Sequence, residues 1–416
     1  MHLLKFLPVF ILLSLQTSVF SQNILQEPEP PLSEKATISL ITGEPGQELY
    51  TRFGHSAIRV HDPVSGYDKV YNYGTFDFNA PGFYIKFLQG KLNYFLSRYD
   101  FDRMMINYKY FNQTLYEQYL NLSYEEKKMV YKFLNKNYLP ENRFYLYDFF
   151  YDNCSSRIRD VFKTALGNRL IFDDNFIGTN KTFRQLLDEY LQEQTPWGDF
   201  GIDLVLGMPA DQVASAENYM FLPFELYKAF NHASIINHGD KEPFVIHNQM
   251  LINSIKIEQQ RFSITPSYLF YGIFILMLFL TFIEVKYSID LRVVDSFLFS
   301  LIGLSGLILG LLWFATDHIA TKDNLNLFWA FPTHLMVPFL VYSKKHLKFS
   351  VYYFLFWSIF LTLFLIGWNY IPQQFNLIII PIILLLILRS YRRYQITKRM
   401  ANKYVERRKQ HFEKEL

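Results

Sequence analysis

The sequence has little cysteine, little net charge and few metal-ligand patterns, and each shortage excludes a class of function. Cys154 is the single cysteine among 416 residues, so the chain cannot form an internal disulfide. The net charge of +3 is small for this length and provides no basic footprint for nucleic acid. No group of histidine, cysteine and acidic residues has a recognisable metal-ligand spacing, so we predict neither a metal site nor a cofactor.

Apolar residues, in contrast, are abundant and unevenly distributed. Hydrophobic residues make up 50% of the chain and aromatic residues 19%, which is too apolar for one ordinary soluble domain. The charged residues, also 19%, are too many for a purely integral membrane protein. We therefore expect two unlike halves.

The N-terminus has the pattern of a secretory signal. Residues 1–21, MHLLKFLPVFILLSLQTSVFS, combine a short basic start, an apolar stretch and small residues near the end. We predict a cleavable signal peptide; an uncleaved anchor helix is the alternative, although the apolar run is shorter than the ~20 residues that a span needs. Either way, the segment that follows is exported. Residues 22–35 are rich in Pro and Glu and are predicted to form a linker.

Beyond the linker, the composition divides the chain into three parts. Residues 36–262 mix short strands, turns and helical stretches, as in an α+β domain with a full core. Residues 263–390 are predicted to form an all-α domain of five transmembrane helices, and residues 391–416 a basic tail. The apolar runs that predict the five spans are 267–285, 293–315, 325–342, 350–370 and 374–389. Polar residues and Pro332 in the third run indicate a partly re-entrant segment.

The loops between the predicted spans give an independent test of orientation. Lys and Arg cluster after the first, third and fifth spans, whereas the loop after the second contains only Lys322 and the loop after the fourth contains no cation. Cations concentrate in cytoplasmic loops. The pattern therefore places the N-terminal domain outside and the C-terminal tail in the cytoplasm, in agreement with the signal peptide.

The segment around the only cysteine, YLYDFFYDNCSSRIRDVFKTAL, predicts the start of an amphipathic helix. Asp152 and Asn153 are good N-caps, and apolar residues recur at helical spacing after them. Cys154 would then lie in the first turn, where unpaired N–H groups and the helix dipole favour a thiolate and could later hold an oxyanion. Arg157 and Arg159 would strengthen this effect, or else pair with neighbouring aspartates. A buried, inert cysteine is the alternative.

A thiol nucleophile needs a base, and His55 in LYTRFGHSAIRV is the best candidate of ten histidines. Gly54 gives room beside the ring, and the following residues alternate as a strand does. A structural role is the alternative for His55. His61 is the rival base, but HDPVSG is typical of an exposed turn.

The next strand, VYNYGTFDF, is predicted to pair with the histidine strand as a hairpin. A polar residue on it could orient the imidazole, as the third member of a catalytic triad does. We select Asn72, with Tyr71 and Tyr73 as alternatives.

The segments GEPGQELYTRFGHSAIRV, YNYGTFDF and YDFFYDNCSSRIRD, in that order, resemble a permuted papain-like fold, in which the histidine strand precedes the cysteine helix. Lecithin:retinol-type acyltransferases and permuted NlpC-type hydrolases share this arrangement. The whole mature chain, including GIDLVLGMPADQ and MFLPFEL, is similar to the Bacteroides-type lipoprotein N-acyltransferases, Lnb. The resemblance assigns Cys154 and His55 to catalysis, with Asn72 as the third residue.

The resemblance implies a multi-pass inner-membrane enzyme with its N-terminal domain in the periplasm. Its reaction would move an acyl chain from a membrane phospholipid, through a thioester on Cys154, to the α-amine of a diacylated lipoprotein. The residues proposed to contact substrate are Tyr73, Arg157, His318 and Asn326. The alternatives are a periplasmic cysteine hydrolase, acting on peptidoglycan, peptide or lipid ester, and a binding module attached to an active membrane part.

Overall fold

In a computed structural model, the protein is described over residues 30–46, 51–192, 195–237, 239–255 and 264–415. The predicted signal peptide and residues 22–29 of the predicted linker lie outside these ranges. The described end of that linker packs on the following domain: Leu32 is buried in the core, and Ser33 donates its backbone N–H to the Asp62 carboxylate at 2.7 Å.

The N-terminal domain is built on antiparallel strands. The described residues form β1 (Thr37–Gly43), β2 (His55–Asp62), β3 (Tyr67–Thr75), β4 (Asn93–Asp100), β5 (Leu115–Leu120), β6 (Phe144–Leu146), β7 (Leu170–Ile171), β8 (Ser234–Asn237), β9 (Asp240–Pro243) and β10 (Val245–Ile252). Seven of them make one sheet in the order β10-β5-β1-β2-β3-β4-β6, and β7, β8 and β9 make a small second sheet. The histidine strand therefore lies at the centre of the larger sheet.

The predicted hairpin is confirmed, because β2 and β3 pair antiparallel with Ile58 opposite Tyr71. Ala57 and Ile58 are both fully buried, as a central strand requires. His61 lies inside β2 and is half-buried, so the predicted exposed turn begins later than expected. The strand continues through His61 because that residue still pairs with Asp68 on β3 and with Thr37 on β1.

Helices cover the sheet. Within the described part of this domain they are α1 (Phe83–Leu88), α2 (Phe101–Tyr110), α3 (Tyr124–Tyr138), α4 (Cys154–Leu166), α5 (Phe183–Leu191), α6 (Pro196–Val205), α7 (Ala216–Tyr219) and α8 (Pro223–His232). The apolar face of α4, with Ile158, Val161 and Phe162, is buried as its sequence predicted. Each such side chain contributes about 1.5–3 kcal/mol by leaving water. This burial holds α4 against β2 and β3, so its first residue lies beside the histidine strand.

The C-terminal domain is helical. Its described α-helices are α9 (Pro266–Tyr287), α10 (Arg292–Phe314), α11 (Val337–Tyr342), α12 (Leu347–Ile366) and α13 (Ile380–Glu415). Among the described residues, α9, α10 and α12 are long and apolar enough to cross a membrane. The molecule is thus α+β in its N-terminal part, followed by a helical domain whose described residues include three or four apolar helices long enough to span a membrane.

The fourth candidate span is broken. Ile319–Phe328 and Pro332–Tyr342 are short helical segments bent by 52° relative to each other, in the run that the sequence marked as partly re-entrant. Pro332 has no N–H to continue a helix. The polar side chains of Asn324 and Asn326, which precede it, donate to the backbone carbonyl of Leu204 in α6. The fifth predicted run coincides with the start of α13, so the count of five spans stays a prediction.

Candidate active site around Cys154

Cys154 is the first residue of α4, and the cap that precedes it is Asn153. The Asn153 side-chain oxygen accepts from the backbone N–H groups of Ser155 (2.9 Å) and Ser156 (3.0 Å), as the sequence predicted. Its amide nitrogen donates to the backbone carbonyls of Phe149 and Phe221. Because the cap already uses two first-turn amides, fewer of them are left for an oxyanion than the helix position alone suggests.

His55 and Asn72 meet across the β2–β3 hairpin. The His55 Nε2 atom is hydrogen-bonded to the Asn72 side-chain oxygen. The Asn72 amide nitrogen donates to the Thr75 hydroxyl at 3.1 Å, which fixes the amide so that its oxygen faces the ring. Nε2 must then carry the proton, and Nδ1 is the ring nitrogen left to accept one from a thiol.

Cys154 and His55 interact directly and change each other's pKa. Burial alone would lower the pKa of His55, but the charge of the Cys154 thiolate and hydrogen bonds to Cys154 and Asn72 raise it. Burial alone would raise the pKa of Cys154, but the His55 charge and hydrogen bonds from His55, the Ser56 backbone and Ser155 lower it. Both shifts favour a thiolate–imidazolium pair, which is the reactive form of a cysteine nucleophile.

Two glycines with left-handed backbone angles adjoin this pair. Gly54, immediately before His55, and Gly74, at the end of β3, both have positive φ, of 79° and 87°. A side chain at Gly74 would place its Cβ 3.5 Å from the Cβ of Cys154. Glycine adopts these backbone angles without strain, and at Gly74 the missing side chain also leaves space beside Cys154.

Tyrosines surround the thiol. The pKa of Tyr147 is raised well above its ordinary value by burial and by the nearby Cys154 charge, and that of Tyr108 is raised by burial, Tyr99 and Cys154. Both phenols therefore stay neutral and supply a largely apolar wall. Sequence reasoning did not single them out, although Tyr147 belongs to the aromatic run before the cysteine.

A row of rings leads away from the cysteine, and we call Tyr147, Tyr94, Phe76 and Phe83 the aromatic lane. Tyr147 stacks on Tyr94 with ring centroids 4.4 Å apart, Tyr94 meets Phe76 at 5.3 Å, and Phe76 meets Phe83 at 5.9 Å. Phe83 is the buried residue of α1. The lane thus connects the cysteine site to α1.

The outer face of α1 is apolar and exposed, and α1 is bound to the helical domain. Tyr84, Ile85 and Leu88 are each about 60% exposed. His318, a predicted substrate contact, bonds through Nε2 to the Phe87 carbonyl at 3.0 Å, in the loop that follows α10. The membrane-span candidate α10 ends only a few residues before His318. Therefore α1 lies at the membrane-proximal end of the N-terminal domain.

The other predicted substrate contacts already have partners inside the protein. The Tyr73 hydroxyl accepts from Asn137 at 3.0 Å in the buried core. Arg157 pairs with Asp152 at 2.5 Å and lies over a tyrosine ring. Asn326 donates to the Leu204 carbonyl of α6 at 3.1 Å and accepts from Trp329. Their assignment to substrate stays a prediction.

Two family models match this chain. The model of the Lnb N-terminal periplasmic domain matches residues 32–189, and the model of the Lnb transmembrane domain matches residues 257–400. Together they cover well over half of the sequence. The chain matches no curated protein and no solved structure.

Proposed function

Because this chain belongs to the Lnb family, an inner-membrane family with a periplasmic N-terminal part, we propose that it is a lipoprotein N-acyltransferase that works through Cys154. The observation that carries the proposal is the Cys154–His55–Asn72 arrangement at one end of the aromatic lane, with the exposed face of α1 at the other. A lipid substrate needs such an apolar route from the bilayer to the nucleophile.

The first half-reaction forms a thioester. The Cys154 thiolate, its proton held on His55 Nδ1, attacks an ester carbonyl of a membrane phospholipid. The backbone N–H of Cys154 is the first-turn donor left for the oxyanion, since the cap engages those of Ser155 and Ser156. The ester C–O bond then breaks, His55 returns the proton to the leaving oxygen, and a lysophospholipid departs.

The second half-reaction transfers the acyl group. The neutral α-amine of a diacylglyceryl-cysteine lipoprotein attacks the thioester, the C–S bond breaks and the thiolate leaves. His55 takes the amine's surplus proton, which restores the starting pair. Water must be kept from the thioester between the two steps, and the tyrosine wall and aromatic lane serve this purpose. Asn72 is a positioning residue that holds the imidazole tautomer.

The finer architecture belongs to the same proposal. The order of histidine strand and then cysteine helix, packed together, is the arrangement of a permuted papain-like domain. We also propose five membrane crossings, with the broken segment as the third and the start of α13 as the fifth, which leaves the basic tail in the cytoplasm.

Mass spectrometry of lipoprotein N-terminal peptides tests the reaction. Cells lacking the protein should accumulate diacylated peptides, and the wild-type chain should restore the third acyl chain. Cys154→Ala and His55→Ala should not restore it. His61→Ala, which changes the other histidine of β2, should restore it fully and is the matched control.

Triacylated peptides that persist in the deletion strain, or that Cys154→Ala restores at normal expression, would contradict the proposal. A cysteine hydrolase would leave triacylation unchanged and alter wall cross-link fragments or free fatty acid instead. Trapping an acyl mass on the Cys154 peptide after incubation with phospholipid vesicles would add direct support for the thioester.

A further inference from the structure

We propose that Asp188, Asp199 and Asp203 bind a hard divalent cation of the Ca²⁺ or Mg²⁺ class where the two domains meet. One carboxylate oxygen from each lies within 4.8 Å of the others. Oxygens held by one such ion at about 2.0–2.6 Å are no more than about 5 Å apart, so this spacing suits a single ion. The proposal concerns a site separate from Cys154 and does not rest on the proposed function.

The aspartates line a cavity of about 450 Å³ between the domains. Asp188 comes from α5, while Asp199 and Asp203 lie one turn apart on the same face of α6. The start of α9 and residues 374–378, just before α13, complete the wall. The volume admits an ion together with several waters, which both cations retain when proteins supply few ligands.

Asp199 supplies an observation beyond the clustering of acids. Only 5% of its surface is exposed, and its Oδ1 atom is buried with no hydrogen-bond partner among the described residues. Its other oxygen accepts from Asn376 at 3.2 Å. A buried carboxylate oxygen without a partner is costly, and a cation in the cavity would satisfy it.

The local charges do not balance within the protein. Arg184 donates to Asp203 at 2.8 Å and to Asp211 at 2.7 Å, so one guanidinium is shared between two carboxylates. Asp188 and Asp199 lie next to Asp203 and add two further carboxylates. A dication would offset this excess of negative charge.

A cation here would hold the two domains together. Asn376, in the segment before α13, donates to Asp203 at 2.9 Å as well as to Asp199, so that segment touches the site directly. The ion would therefore connect α5 and α6 of the N-terminal domain to the helical domain. Sequence reasoning missed this site because only the i, i+4 aspartates in an otherwise apolar helix, PWGDFGIDLV, indicate it.

The test uses the full-length protein in detergent, first stripped with EDTA. Elemental analysis and equilibrium binding of Ca²⁺ and of Mg²⁺ should give one bound ion per chain for at least one of them. The same ion should raise the melting temperature by about 2–4 °C or more. Asp199→Asn should abolish both effects. Glu189→Gln, which removes an exposed carboxylate next to Asp188, should leave both unchanged.

Absence of one-to-one binding by the wild type would overturn the proposal, as would binding and a melting shift that survive Asp199→Asn. A wild type insensitive to both cations but stabilised by Asp199→Asn would mean that the carboxylates share a proton instead. Should Asp199→Asn fail to fold, the half-buried Asp188 provides a milder variant. Asp188→Asn should weaken cation binding at least about tenfold, because it removes one charged ligand.

Discussion

Each member of the Cys154–His55 pair stabilises the charged form of the other. Burial opposes both charges, yet the attraction between thiolate and imidazolium outweighs it, so the thiol pKa falls and the imidazole pKa rises. Asn72 holds the ring through Nε2 and adds to the histidine shift. The charged pair thus depends on three side chains: His55 of β2, Asn72 of β3 and Cys154 of α4.

The pH dependence of thiol alkylation tests this pair. Because the thiol pKa is lowered, the thiolate should persist below the ordinary cysteine value of about 8.5, and alkylation should decline only as the pH falls through the lower, folded-state pKa. In His55→Gln, burial raises the thiol pKa without the opposing imidazolium charge, so the pH midpoint of alkylation should move upward. Cys154 is the only thiol, so the iodoacetamide rate against pH reports it alone.

His61→Gln is the control for that measurement and should keep the wild-type midpoint. An equal midpoint in wild type and His55→Gln would show that His55 does not carry the charge that lowers the thiol pKa. The comparison uses midpoints rather than rates, because the buried position of Cys154 slows alkylation in every variant.

At the scale of elements, the start of α4 depends on one side chain. Asn153 caps two amides and donates to two carbonyls, and three of these four hydrogen bonds are buried. We expect Asn153→Ala to lower the free energy of unfolding by about 2 kcal/mol or more, since loss of a cap costs about 1–2 kcal/mol and buried carbonyls lose donors as well. Denaturant unfolding of the purified protein measures this.

The same substitution should also reduce acyl transfer, because it releases the turn that presents Cys154. Thr182→Ala is the matched control: it removes the capping box of α5, a helix that does not carry the thiol, and should cost about 1 kcal/mol with little change in Cys154 alkylation. Equal stability of Asn153→Ala and the wild type would refute the role assigned to this cap.

A second prediction for a single element concerns the exposed face of α1. Ile85→Asp and Leu88→Asp place a charge where we expect contact with the bilayer, so transfer from phospholipid vesicles should fall by about tenfold or more. Turnover of a soluble thioester should stay near the wild-type level, because the thiol and its base are untouched. Comparing the two substrates in one preparation separates membrane access from chemistry.

Val64→Asp is the control for α1. Val64 is similarly exposed, but it lies in the β2–β3 turn, at the opposite end of the hairpin from His55. Vesicle and soluble activities should both be unchanged in this variant. A loss of both activities in Ile85→Asp would indicate misfolding of the site rather than loss of membrane contact.

Local patterns predicted the parts of the site that lie close together in sequence. Asn153 is a strong N-cap directly before an amphipathic period, and His55 and Asn72 lie on one hairpin, so short-range rules identify them. The aromatic lane could not be predicted in this way. Tyr147, Tyr94 and Phe83 come from separate elements, and only long-range packing brings their rings together.

The same limit applies to the cation site and to the membrane domain. Asp188 joins the two aspartates of α6 only through the packing of α5 on α6. The break at Pro332 was visible in the sequence because polar residues and a proline interrupt an apolar run. Whether a broken segment crosses the membrane depends on its neighbours, which composition does not describe.

In the molecule as a whole, buried charges connect α13 to the end of the helical domain that lies away from the N-terminal domain. Arg389 of α13 bonds to Asp295 at 2.6 Å and to Glu284 at 2.9 Å, and all three side chains are fully buried. These acids flank the loop between α9 and α10. Removing one partner would leave a buried charge, at a cost of about 3–5 kcal/mol, so the contact holds α13 firmly in place.

The segment from Asn376 to Arg389 therefore has its two ends on different sides of the helical domain. Asn376, just before the helix, contacts α6 of the N-terminal domain, whereas Arg389 contacts the α9–α10 loop region. The 12 residues between them, a 3-10 turn and the first residues of α13, span roughly 20 Å. Although this stretch is short for a membrane span, its contacts at both ends support a crossing, with the basic tail on the side of the α9–α10 loop.

Single cysteines introduced into Cys154→Ala test this topology. A membrane-impermeant maleimide should label Tyr370→Cys, in the loop after α12, from the periplasmic side. It should label Ser288→Cys, Lys344→Cys and Lys409→Cys only after the inner membrane is permeabilised. With α9, α10, α12 and α13 all crossing, a cytoplasmic tail requires one further crossing, which only the broken segment can supply. Labelling of Lys344→Cys and Lys409→Cys without permeabilisation would make that segment re-entrant and the number of crossings even.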